Sequence, residues 1–209
     1  MTQAVHLVLS VLFIVAFSMV PTSAHASTAA RVGDRLLIEA EPGEVNRILA
    51  SAEGNVLRIN DSAGIEPGPG CSRKGNGVEC RVGDIVLVSI VTGDLNDTVR
   101  IGGVRSFIDA GTGDDTVIPS SRAVVIGGPG RDVLRAGAAR VLLRGGADGD
   151  VLEDFGGGRD VLKGGAGDDY LDSQDYERDF VFGGSGDDES GTNCGDRVRN
   201  VESGVVGCA

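Results

Sequence analysis

The sequence predicts an all-β fold, a parallel β-solenoid with a small N-terminal β-subdomain, and three observations carry the prediction. Between Thr92 and Asp196 an Asp followed by apolar residues keeps returning, at spacings of about 18 residues that then halve. Gly is abundant at 34 residues, while aromatics are 4% and Trp is absent, which suits a thin stacked core better than a thick one. After residue 26 no helical period of useful length appears. A turn followed by a short strand, repeated roughly every nine residues, buries its apolar side only by stacking on copies of itself.

Residues 1–26 read as a signal peptide. Val5 to Val20 is almost wholly apolar, and Ala24-His25-Ala26 ends it in an A-x-A cleavage pattern. The segment before the apolar run has no Lys or Arg, so an uncleaved membrane anchor is the competing reading. Cleavage after Ala26 would remove both His residues, His6 and His25, and leave the net charge at −12. What remains suits one elongated domain or two small ones, exported and carrying no further membrane span.

Residues 27–91 form the expected N-terminal β-rich subdomain. Arg35–Glu39, Asn55–Ile59 and Asp84–Ile90 are short strand-like runs with partial alternation, separated by Pro, Gly, Asn and Asp. Cys71 and Cys80 flank an eight-residue loop, and Cys194 and Cys208 enclose the tail. Close pairs of even number in an exported chain read as disulfides, with a four-Cys zinc site as the alternative. The tail, 197–209, would then be a disulfide-pinned cap on the last coil, covering an otherwise open strand edge.

The repeats occupy 92–196. Their Asp members are Asp97, Asp115, Asp132, Asp150, Asp160, Asp169, Asp179, Asp188 and Asp196. Gly-rich hexads precede many of them: AGTGDD at 110–115, GGPGRD at 127–132, GGADGD at 145–150, GGAGDD at 164–169 and GGSGDD at 183–188. These units match GGxGxDxUx, and the chain resembles the haemolysin-type calcium-binding repeat of RTX proteins over about half its length. The resemblance implies a right-handed parallel β-roll with Ca²⁺ held between successive turns. It also implies that the sixth-position Asp residues are the side-chain ligands.

Turns of such a roll alternate between two sides. One row ends at Asp97, Asp115, Asp132, Asp150, Asp169 and Asp188 and holds a carboxylate at every level. The other ends near Ser106, Ala123, Val141, Asp160, Asp179 and Asp196, and is degenerate in its first half. Calcium is therefore expected on the first side only. Ca²⁺ takes six to eight hard oxygens in flexible geometry. Gly111, Gly113, Gly128, Gly130, Gly146, Gly165, Gly167, Gly184 and Gly186 would supply left-handed turns that aim main-chain carbonyls at a common centre. Leu95 stands where the first hexad needs Gly, and Asp148-Gly149 inverts the order of the fourth. Asp114, Asp168 and Asp187 are expected to be solvated or to support the ligands. The competing reading is a metal-free solenoid whose Asp and Gly merely favour turns.

Val99, Val117, Leu134, Leu152 and Leu171 should stack in one sheet, and Ile108, Val125, Leu143, Leu162, Val181 and Val198 in the other. On one outer face Arg100, Ile118, Arg135, Glu153 and Asp172 succeed one another, and no outward ladder of identical residues is expected.

Function follows from these residues. The expected protein is a secreted, calcium-binding structural or adhesive module and not an enzyme; a secreted hydrolase or toxin component is the alternative. H-E-x-x-H and G-x-S-x-G are both absent, and no His remains after residue 25. The acid pair Asp172 and Asp175 lacks an inferable cleft. An ice-binding face would need a Thr ladder, which stops after Thr98 and Thr116. The acidic balance disfavours nucleic acid. Calcium ions are the expected partner, with any cell-surface partner unnamed.

Overall fold

The computed structural model describes residues 26–137 and 140–207. The expected leader, its cleavage site up to His25 and the Cys194–Cys208 bridge lie outside these residues in whole or in part. Among the described residues every regular element is a strand, and no helix is long and apolar enough to cross a membrane.

The chain winds as a parallel β-solenoid between two sheets. The first sheet stacks Arg35–Glu39, Leu87–Val91, Ser106–Asp109, Ala123–Pro129, Leu142–Ala147, Val161–Ala166, Phe180–Ser185 and Arg197–Arg199. The second stacks Arg47–Glu53, Thr98–Gly102, Thr116–Pro119, Val133–Ala136, Val151–Asp154, Tyr170–Asp172, Glu189–Asn193 and Ser203–Gly207. All these neighbours pair in parallel, because each coil returns to its starting side before stepping up one strand.

The register puts like on like. In the second sheet Val99, Val117, Leu134, Leu152 and Leu171 succeed one another. Opposite them run Ile108, Val125, Leu143, Leu162, Val181 and Val198. Apart from Val198 on the last coil, all of these are fully buried. Burying each Val or Leu contributes roughly 1.5–3 kcal/mol. One or two inward apolar residues per strand are thus repeated in place of a thick core.

Residues 27–91 are both first coil and lid. Arg35–Glu39 pairs with Leu87–Val91, and Arg47–Glu53 with Thr98–Gly102, so they extend the solenoid's own two sheets. The lid is mostly antiparallel: Ser27–Val32 folds back on Arg35–Glu39 and takes Ile65–Pro67 alongside in parallel, while Val56–Asn60, Gly77–Arg81 and Cys71–Lys74 continue the second sheet outward in antiparallel. Cys71 and Cys80 face each other across the last hairpin and are disulfide-bonded, Cα–Cα 4.1 Å. At the far end Arg197–Arg199 and Ser203–Gly207 form a final coil that lies in register on both sheets.

Candidate metal centre

Each Asp of the first row sits at the end of a turn, just before a strand, and is almost fully buried: Asp97, Asp115, Asp132, Asp150, Asp169 and Asp188 expose 0–2% of their surface. Their two carboxylate oxygens do different things. Oδ1 accepts the backbone N–H of the equivalent residue one coil earlier: Asp97 donates to Asp115, Asp115 to Asp132, Asp132 to Asp150, Asp150 to Asp169 and Asp169 to Asp188, at 2.7–3.0 Å. Asn46 N–H donates to Asp97 at one end, and Asp188 N–H to Glu202 Oε2 at the other. Glu202 replaces the next Asp at the last level. The repeat pattern missed it because the tail carries no hexad.

Oδ2 is buried and without a hydrogen-bond partner in all six. In four of them it points back into its own Gly turn, whereas at Asp97 and Asp115 the equivalent first position of the turn is Thr92 and Ala110. A Cβ built on Gly127, Gly145, Gly164 or Gly183 would come within 2.1–2.3 Å of Oδ2 of Asp132, Asp150, Asp169 or Asp188. The same point at Gly127 lies 2.9 Å from the Gly145 carbonyl oxygen. An orphaned carboxylate oxygen facing a cradle that excludes any side chain fits a hard cation, which would supply the missing partner.

The turns stack as tightly as their glycines allow. Gly128 has φ +128°, and a Cβ there would stand 1.8 Å from the Gly111 carbonyl oxygen. Gly111, Gly113, Gly130, Gly146, Gly165, Gly167, Gly184 and Gly186 repeat the pattern, all at positive φ. The two departures seen in the sequence adopt the same backbone: Leu95 has φ 70° and Asp148 φ 73°. Asp114 and Asp168 accept backbone N–H bonds from Arg131 and Asp187 of the next coil, so they clamp coils together.

Burial raises the carboxyl pKa values from 3.8: Asp115 and Asp150 to about 7, Asp132 and Asp169 to about 6. Loss of solvation is the first cause and repulsion between neighbouring carboxylates adds to it for Asp115, Asp150 and Asp169; the backbone bonds to Oδ1 pull the other way. In the metal-free fold the ionised form is therefore disfavoured at these positions.

The second side repeats this geometry over its last coils only. Val141 N–H donates to Asp160 Oδ1, Asp160 to Asp179 and Asp179 to Asp196, with Oδ2 of Asp160 and Asp179 again orphaned. In addition, carboxylate oxygens of Asp154, Asp160 and Asp175 lie within 4.8 Å of one another. Oδ2 is buried and unpartnered in each of the three. Burial first, then the neighbouring carboxylates, raises the Asp154 carboxyl well above its usual range. Asp154 and Asp175 escaped the repeat pattern because neither occupies the sixth position of a hexad. Asp172 instead faces outward on the second sheet, away from this cluster.

The fold and site together define a parallel β-solenoid with stacked Gly–Asp turns. The family model for the RTX calcium-binding nonapeptide repeat matches residues 126–153, 156–175 and 177–189, so the chain carries these repeats. The hydrogen-bonded ladder runs further toward the N-terminus than the match, up to Asp97. No match was found among characterised proteins or solved structures.

Proposed function

We propose that the protein is an exported Ca²⁺-binding module without catalytic chemistry, in which calcium locks the solenoid and the locked solenoid serves as a structural or adhesive element. The row of six buried, orphaned Oδ2 atoms, four of them against a Gly of their own turn, carries the reading. Asp97, Asp115, Asp132, Asp150, Asp169 and Asp188 would hold the ions on the first side, with carbonyls of the Gly turns. When bound, Ca²⁺ supplies positive charge between coils whose carboxylates otherwise repel one another. The one-sided arrangement expected from the sequence widens here: Asp154, Asp160 and Asp175 would hold a further cation on the second side. Export is supported by the leader-like residues 1–26 and the Cys71–Cys80 disulfide. The absence of His after residue 25 supports a non-enzymatic role.

The test is a calorimetric count of Ca²⁺ per chain for wild type, Asp132→Asn, Asp188→Asn and Asp154→Asn, with circular dichroism alongside. Asn keeps an Oδ1 acceptor for the N–H of the preceding coil but removes the charge. Asp132→Asn should weaken two ions because it borders two gaps between Gly hexads, Asp188→Asn one because the turn that ends at Glu202 carries no hexad, and Asp154→Asn only the second-side ion. Wild type that takes up no Ca²⁺ at millimolar concentration overturns the proposal. An Asp154→Asn variant with an unchanged count removes the second-side site alone.

A further inference from the structure

We propose that the edge of the first sheet is a docking groove for a linear acidic polysaccharide, one bearing a carboxylate on each sugar. The residue before the turn-end position of the second row is Arg in five consecutive coils: Arg105, Arg122, Arg140, Arg159 and Arg178. The pairing of the strands that follow sets these five in one file. Neighbouring strands lie about 4.8 Å apart, so the backbones of the five Arg follow one another at roughly that step. All five are exposed, and among the described residues none has an acidic partner. On a chain of net charge −12, five unpaired cations in single file are not a by-product of composition.

The equivalent position on the first side reads Asn96, Asp114, Arg131, Gly149, Asp168 and Asp187, so the basic column belongs to one edge. It also outlasts the metal pattern, since Arg105, Arg122 and Arg140 precede Ser106, Ala123 and Val141 where the second row has no carboxylate. Their charge therefore serves something other than the turn beneath them.

Beside the column, in register two residues on, run Phe107, Val124, Leu142, Val161 and Phe180, all half-buried. Arg105, Arg122, Arg140 and Arg159 line, with Phe107, Val124 and Leu142, an open depression of ≈ 550 Å³. A polymer with one anionic group per sugar matches a wall with one cation per strand, and the C–H faces of sugar rings match an aliphatic floor. Single-stranded nucleic acid would want an aromatic ring for each base, whereas the middle levels are Val and Leu. A bilayer surface is planar and does not enter a groove. Two exposed aromatics, Phe155 and Tyr176, lie in the turns leading to Arg159 and Arg178.

The experiment measures binding of the full exported chain to short oligogalacturonate, with free Ca²⁺ held constant well above the uronate concentration. Wild type should bind, and raising salt should weaken it. Arg122→Ala/Arg140→Ala/Arg159→Ala should lose about tenfold or more in affinity, and the triple Lys variant should recover part of it. Arg100→Ala/Arg135→Ala, on the other sheet, should bind as wild type does. Circular dichroism and the calcium count should stay unchanged in every variant, which separates loss of the groove from loss of the fold or of calcium. Equal binding to neutral dextran, equal loss in the Arg100/Arg135 control, or tighter binding to single-stranded DNA or to phosphatidylglycerol vesicles overturns the proposal.

Discussion

At Leu95 and Asp148 a side chain occupies a backbone conformation that the neighbouring coils give to Gly. Leu95 has φ 70°, is 44% exposed and its carbonyl oxygen would lie 2.0 Å from a Cβ on Gly113. The left-handed conformation strains a non-Gly residue by roughly 1–2 kcal/mol. Leu95→Gly should therefore stabilise the protein by about 1 kcal/mol, after the extra freedom of Gly in the unfolded chain is offset. Gly113→Ala, one coil on, should do the reverse and cost roughly 2–4 kcal/mol, because the new Cβ meets backbone that cannot move alone. Chemical denaturation of both variants in saturating Ca²⁺ checks the pair; equal and small effects would mean that the turns are looser than their geometry.

At the scale of the strand, inward and outward neighbours should differ sharply. Leu152 is fully buried between Leu134 and Leu171, whereas Glu153 beside it faces outward and pairs with Arg135. Leu152→Ala should cost roughly 2–5 kcal/mol, from lost burial plus a cavity that the stack above and below cannot close. Glu153→Ala removes a surface ion pair worth at most about 1 kcal/mol. Thermal melts of the two variants test this ordering. The sequence made both stacks legible, since a period near 18 residues brings like residues to one column whatever the exact turn length.

The whole molecule carries its charge in columns, and this makes its stability depend on pH in a metal-dependent way. In the metal-free fold Asp115, Asp132, Asp150 and Asp169 titrate at about 6 to 7, against 3.8 for the ordinary group. Between those values the folded chain holds more protons than the unfolded one, so stability falls as pH rises. Their favourable contribution is fully present below about pH 4 and lost through about pH 6 to 7. Decalcified protein should melt at a higher temperature at pH 5 than at pH 8. Millimolar Ca²⁺ should abolish or reverse the difference, because the ion binds the ionised carboxylates. A melting temperature of the decalcified protein that rises from pH 5 to pH 8 would contradict the carboxylate row as the source of the dependence.

What the sequence by itself determined is whatever repeats along the chain: the all-β solenoid, the two apolar stacks, and the six-Asp row with its glycines. A coil fold converts linear period into spatial column, so register is already written in spacing. Tertiary structure alone decided what depends on contact between non-equivalent positions. It divided each carboxylate into a bonded Oδ1 and an orphaned Oδ2, and brought Asp154 and Asp175 to Asp160 from outside the hexads. It also made residues 27–91 the first coil of the solenoid as well as its lid, because antiparallel return strands leave no periodic trace. No outward ladder of identical residues is expected from the sequence, yet Arg105, Arg122, Arg140, Arg159 and Arg178 stand in file in the turns before the first sheet's strands, at the same 17 to 19 residue spacing as the apolar stacks. What the tertiary structure added is that all five are exposed and, among the described residues, without an acidic partner.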